Sequence, residues 1–189
     1  SLHGHLIHEA YFPGFKTASD RTIIYYDKYT THALASSTKS ITSTLIGIAI
    51  DLGYIESTET KLQNFYSDYP QVNWEKEFTI NNESVSKAEI SLHDVLSMSA
   101  GLKWDEGTHS YLNSLNDAYK LKESDDWYKF VLERPLISKP GELYVYNSGL
   151  SILLGGIVDH ATNLSADEFA EEYLFKPLNI DNYWWGKGP

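Results

Sequence analysis

Apolar residues at Ile41, Leu45, Ile48, Ala49 and Leu52 recur at i, i+4, i+7, i+8 and i+11, the spacing of one helix face. Ile46 and Ile50 fill a second side, so the stretch from Ser36 to Leu52 predicts a helix buried on most of its faces. Gly53 is its natural stop. A helix of that kind cannot stand alone at a surface. It needs other elements packed round it, and 189 residues allow one domain, or one large domain cut short.

The rest of the chain offers both kinds of element. Leu2-His3-Gly4-His5-Leu6-Ile7-His8 reads as strand pieces about a glycine turn, and Thr22-Ile23-Ile24-Tyr25-Tyr26 as a β-branched and aromatic strand. Ser91 caps a helix over Leu92 to Ala100, with Asp94 three residues on as a capping-box partner and Gly101 as the stop. Asp126 to Leu132 and Leu150 to Thr162 read as further helices. Ser165 caps a last one, with Glu168 at its third position, running to about Phe175. The expected class is α+β: first sheet strands over 1–35, the long helix over 36–53, and a mostly helical region over 54–189.

Composition narrows the function. A net charge of −11 argues against nucleic acid, since phosphate binding needs a basic surface. No run approaches the ~18 apolar residues of a membrane span; the longest, Leu45 to Ile50, is far shorter. With no cysteine there are no disulfides, thiolate metal sites or thiol nucleophiles. His3, His5 and His8 lack an accompanying carboxylate pattern, so no metal is expected there. His93 reads as a helix-surface residue.

Chemistry centres on Ser36-Ser37-Thr38-Lys39 at the head of the long helix. A Ser and a Lys three apart share a helical face, and the hydroxyl sits near the unpaired N–H groups of the helix start. A desolvated Lys there can serve as base toward the Ser. The pattern alone is equally that of an N-cap with a surface Lys, and roughly one chance occurrence is expected in a chain of this make-up. A second occurrence, Ser84-Val85-Ser86-Lys87, lies in a polar stretch and reads as a solvated loop.

The segment Ala35 to Ile55 resembles the nucleophile helix of the serine β-lactamase and penicillin-binding-protein superfamily, class C β-lactamases and related esterases, amidases and peptidases above all. Two more stretches resemble that group in the same order. They are Ile90 to Leu102, and Pro140-Gly141 through Tyr146-Asn147-Ser148-Gly149 into Leu153-Leu154-Gly155-Gly156. Phe175-Lys176-Pro177-Leu178 resembles the segment that follows.

The resemblance implies an antiparallel sheet packed with helices, a helical subdomain, and a cleft between them. It implies Ser36 as nucleophile, Lys39 as its partner, and Tyr146 as the group relaying protons. Ser148, with Asn147 beside it, takes the place of the family's amide-binding Asn, and Trp104 is a candidate cleft wall. A literal Tyr-x-Asn at Tyr111-Leu112-Asn113 lacks the flanking motif and reads as coincidence. The expected function is hydrolysis of an ester, amide or small peptide through an acyl-enzyme, with no cofactor. The Tyr-x-Ser form points away from a true lactamase. A non-catalytic penicillin-recognising or peptidoglycan-binding module of the same fold is the alternative, and an ordinary α+β domain with a capped helix is the plainest one. Compartment and oligomeric state stay open, although many members of the family it resembles are exported. The family's Lys/His-Thr/Ser-Gly strand is absent, Lys16-Thr17-Ala18 being only a near miss. The chain therefore reads as a partial domain, expected to fold poorly and to hydrolyse nothing at a useful rate by itself.

Overall fold

The structure is a computed structural model and describes residues 3–16 and 20–189. Leu2 of the first predicted strand and Thr17-Ala18 of the near-miss motif lie outside the described residues. Two antiparallel hairpins and six helices make up the regular structure among the described residues. Strands β1 (Pro13–Phe15) and β2 (Ile23–Tyr25) pair with Gly14 opposite Ile24. Strands β3 (Glu77–Ile80) and β4 (Glu83–Ser86) pair across an Asn81-Asn82 turn whose φ values of 51° and 68° are both left-handed, the turn that suits strand twist. The helices are α1 (Thr38–Asp51), α2 (Leu92–Leu96), α3 (Asp117–Lys122), α4 (Trp127–Leu132), α5 (Ser148–Thr162) and α6 (Ala166–Ala170). A short 3₁₀ turn, Ala35–Ser37, leads into α1, and a π turn, Glu171–Phe175, continues α6.

Helix α5 is the hub, with α1, α2, α4 and α6 all packing against it. Its apolar residues leave little polar surface, and Leu150, Leu153, Ile157 and Val158 are buried. From α1 they meet Leu45, Ile46 and Ala49; from α4, Val131 and Leu132. Gly156 lets Tyr66 and Tyr128 come close to α5, since a Cβ there would lie 2.6 Å from the Tyr66 hydroxyl. That hydroxyl donates to the Leu153 carbonyl at 2.7 Å, satisfying a fully buried phenol.

Four findings differ from the sequence reading. Helix α1 is covered on one side only: Ile41, Ile48 and Ile50 are half-buried, and Ser40, Ser43, Thr44 and Gly47 are exposed. Its cover comes from α5 and α6, while no described residue before Thr42 is buried. Helix α2 stops at Leu96 rather than Ala100, because Met98 and Gly101 take φ values of 57° and 75°. The Met98 and Ser99 carbonyls instead accept N–H groups of Val145 and Gly141, which pins the segment leading to Tyr146. Strand β1, hairpin β3–β4 and helix α3 have no counterpart in the sequence reading. His3 to His8, the described part of the expected first strand, form no strand, because pairing there goes no further than a single bridge at His5. Finally, Ser84 to Lys87 is no solvated loop: Ser84 lies in β4, and Lys87 is buried with its ammonium donating to the Leu132 carbonyl at 2.5 Å. Burial pushes that amine down to about 8, against the pull of nearby Glu133.

Candidate active site

Packing of α1 on α5 brings the starts of both helices together. Ser36 lies in the turn that enters α1, and Tyr146 lies two residues before α5. Asn147 caps α5, its side-chain oxygen accepting from the Leu150 N–H at 3.2 Å. Tyr146 is thereby fixed between that cap and the pinned Val145.

Three side chains meet at one atom. The Lys39 ammonium donates to Ser36 Oγ at 3.1 Å, and the Tyr146 hydroxyl reaches the same Oγ at 2.8 Å. Lys39 Nζ stands 5.1 Å from the centre of the Tyr146 ring. The contact with Ser36, joined by the Lys39 ammonium, holds the Tyr146 phenol below its ordinary range. Desolvation and the negative charge of Glu106 pull the other way. Both helix starts also carry partial positive charge, which favours an alkoxide or phenolate between them. Ser36 is exposed and Lys39 half-buried, so the strong desolvation expected of the Lys is not supplied by the described residues. Ala35, just before the nucleophile candidate, sits at a φ of 46°, a left-handed conformation that an alanine takes only under constraint.

The other predicted site residues divide. Ser148 is half-buried next to Tyr146; its backbone N–H donates to Glu106 Oε2 at 2.9 Å and its hydroxyl to Glu106 Oε1 at 2.8 Å. Asn147 is 1% exposed and its side-chain oxygen is engaged as a helix cap. Trp104 is 5% exposed and packs edge-on against Phe130, with its indole N–H on Glu106 Oε2 at 2.6 Å. It stands behind the site and does not wall it. Glu106, which the sequence reading passed over, is the hub of this layer. Its local signal was the Trp104-x-Glu106 step after the Gly101 turn; its pairing with Ser148 is visible only in three dimensions.

A cleft of about 550 Å³ opens beside the site. Lys39 and Thr42 of α1, Ser148 and Ile152 of α5, Trp127 of α4 and Trp185 line it. It meets the polar cluster through Lys39 and Ser148; Ser36 and Tyr146 do not line it. Trp184 is exposed. Among the described residues no group of three or more His, Asp or Glu is placed to hold a metal, and no helix is long and apolar enough to cross a membrane.

Residues 2–189 match the family model described as Beta-lactamase. No curated protein matches the chain in sequence. Among solved structures, the chain is similar to a penicillin binding protein from Bacillus halodurans, with 20% identity and a TM-score of 0.60, covering 88% of this chain and 46% of that one. It is similar also to simvastatin synthase from Aspergillus terreus, with 20% identity and a TM-score of 0.60, covering 85% of this chain and 41% of that one. The chain thus spans less than half the length of either structure, and at this identity the likeness speaks for the fold.

Proposed function

The chain belongs to the beta-lactamase family, with that family's mixed helix-and-sheet, penicillin-binding-protein-like fold, and on this footing we propose that it is a serine hydrolase working through an acyl-enzyme. The observation that carries the reading is the convergence of Lys39 and Tyr146 on Ser36 Oγ. A cap-and-surface-lysine reading of Ser36 gives no reason for a tyrosine 110 positions away to bond the same hydroxyl.

In the proposed reaction Tyr146 is first ionised, its phenolate steadied by the Lys39 ammonium. Ser36 Oγ gives its proton to the phenolate and bonds to the substrate carbonyl carbon. As the tetrahedral adduct collapses, the bond from carbon to the leaving oxygen or nitrogen breaks, and Tyr146 returns the proton to that atom. Water then enters by the reverse path: Tyr146 takes its proton and the hydroxyl adds to the acyl carbon. As that adduct collapses the bond from carbon to Ser36 Oγ breaks, Tyr146 gives the proton to Oγ, and the acid departs. Substrates are esters, amides or small peptides. Ser148 faces the acyl group, in keeping with its place between Tyr146 and the cleft.

The test is a rapid-mixing experiment on the full-length protein with p-nitrophenyl acetate. The expected trace is a burst of about one equivalent of p-nitrophenol, with a 42 Da acetyl adduct on Ser36. Slow linear release with no adduct would contradict the proposal.

A further inference from the structure

Glu106 is 4% exposed, yet it carries a carboxylate. Its hydrogen bonds account for how it can. Oε2 accepts the Trp104 indole N–H at 2.6 Å and the Ser148 backbone N–H at 2.9 Å, and both groups can only donate. Oε1 accepts the Tyr111 hydroxyl at 3.1 Å and the Ser148 hydroxyl at 2.8 Å. Four donors fill the lone-pair sites of an ionised carboxylate. Among the described residues no ion pair reaches it, and its four hydrogen bonds are what hold it in place.

This fixes the polarity of Ser148. A serine hydroxyl has one proton, and here it is given to Glu106. What Ser148 offers beside Tyr146 and the cleft is therefore an oxygen with lone pairs only, backed by a buried negative charge. An asparagine at this position could offer N–H groups to a substrate carbonyl; this serine, its one proton given to Glu106, offers only lone pairs.

We infer that Glu106 is a positioning residue that sets Ser148 as a hydrogen-bond acceptor, and that the site selects acyl substrates carrying an N–H donor, above all a protonated amine, over substrates carrying a carboxylate. The inference rests on the serine-hydrolase reading of Ser36.

The test compares, for the full-length protein, p-nitrophenyl hexanoates bearing at the far carbon a hydrogen, an ammonium, a trimethylammonium or a carboxylate group. Each variant is judged by the ratio of kcat/KM between esters, so changes in overall activity cancel. The expected wild-type order is ammonium, then trimethylammonium, then neutral, then carboxylate. Ammonium and carboxylate should differ on the order of tenfold or more, mainly in KM. The trimethylammonium ester separates charge from N–H donation. In Glu106→Gln the amide N–H can donate to Ser148 Oγ and turn its proton outward. The ammonium preference should then shrink to within about twofold or reverse. Ser148→Ala leaves Glu106 in place and should remove the advantage of ammonium over trimethylammonium, so it serves should the Gln variant not fold. Equal use of all four esters by the wild type, or an unchanged preference in the variants, overturns the inference alone. Absence of any Ser36 acylation in the wild type overturns instead the reading on which it rests.

Discussion

Ser36 Oγ has a lysine nitrogen at 3.1 Å and a phenol at 2.8 Å, and the phenol is the one whose proton affinity the site lowers. In the proposed reaction Tyr146 is therefore the base. Tyr146 must be ionised to accept a proton, so activity should fall as pH drops through its lowered value. Lys39→Met removes the cation that helps to lower it. The acid limb of kcat/KM should then move to higher pH, with a loss of about 10²–10⁴ at neutral pH. An acid limb unmoved in that variant would assign the proton transfer elsewhere. Much of this residue-level picture was legible from Ser36, Lys39 and Tyr146 in their flanking motifs. Trp104 and Asn147, candidate substrate contacts from the sequence, are both buried, because burial and capping are decided by neighbours that a linear reading does not show. Glu106 was missed for the same reason: its bond to Ser148 spans 42 positions.

At the scale of elements, local signals were read well and distant ones poorly. The capping boxes at Ser91 with Asp94 and Ser165 with Glu168 form as expected, because each closes within three residues. Hairpin β3–β4 went unseen: its alternation is short, and its turn is Asn-Asn rather than a glycine type. Helix α3 buries only Leu121 as an apolar side chain, too little to give a period. The Gly101 turn is where an element makes the site. Gly101 takes a φ of 75°, and a Cβ there would meet the Ser138 carbonyl oxygen at 2.3 Å. Its own carbonyl accepts the Ile137 N–H, next to the bonds that pin Gly141 and Val145. Gly101→Ala should cost about 2–4 kcal/mol of unfolding free energy, read from a denaturant midpoint, through strain and a backbone clash. A change under about 0.5 kcal/mol would mean that the turn yields freely and does not anchor the Tyr146 segment.

Across the whole molecule, stability is uneven. The core gathers round α5, while the first described residues bury nothing and leave Leu6, Ile7, Phe12, Phe15, Ile23 and Tyr25 exposed. A two-stranded hairpin with neither face covered is marginal in water. In amide hydrogen exchange on the 189-residue chain, β1 and β2 should exchange within seconds. Amides of Leu153 to Val158 in α5 should be the slowest of the chain to exchange. Equal protection of both regions would contradict the division. The family match runs over residues 2–189, and the matched part is less than half of either solved structure. The central claim nevertheless rests on one oxygen atom. A fluorophosphonate probe, applied to the full-length protein and mapped by mass spectrometry, reads it directly. The account predicts a single covalent adduct on Ser36, lost in Ser36→Ala and slowed in Lys39→Met. A well-folded protein left unlabelled, or labelled at another serine with Ser36 untouched, would contradict it.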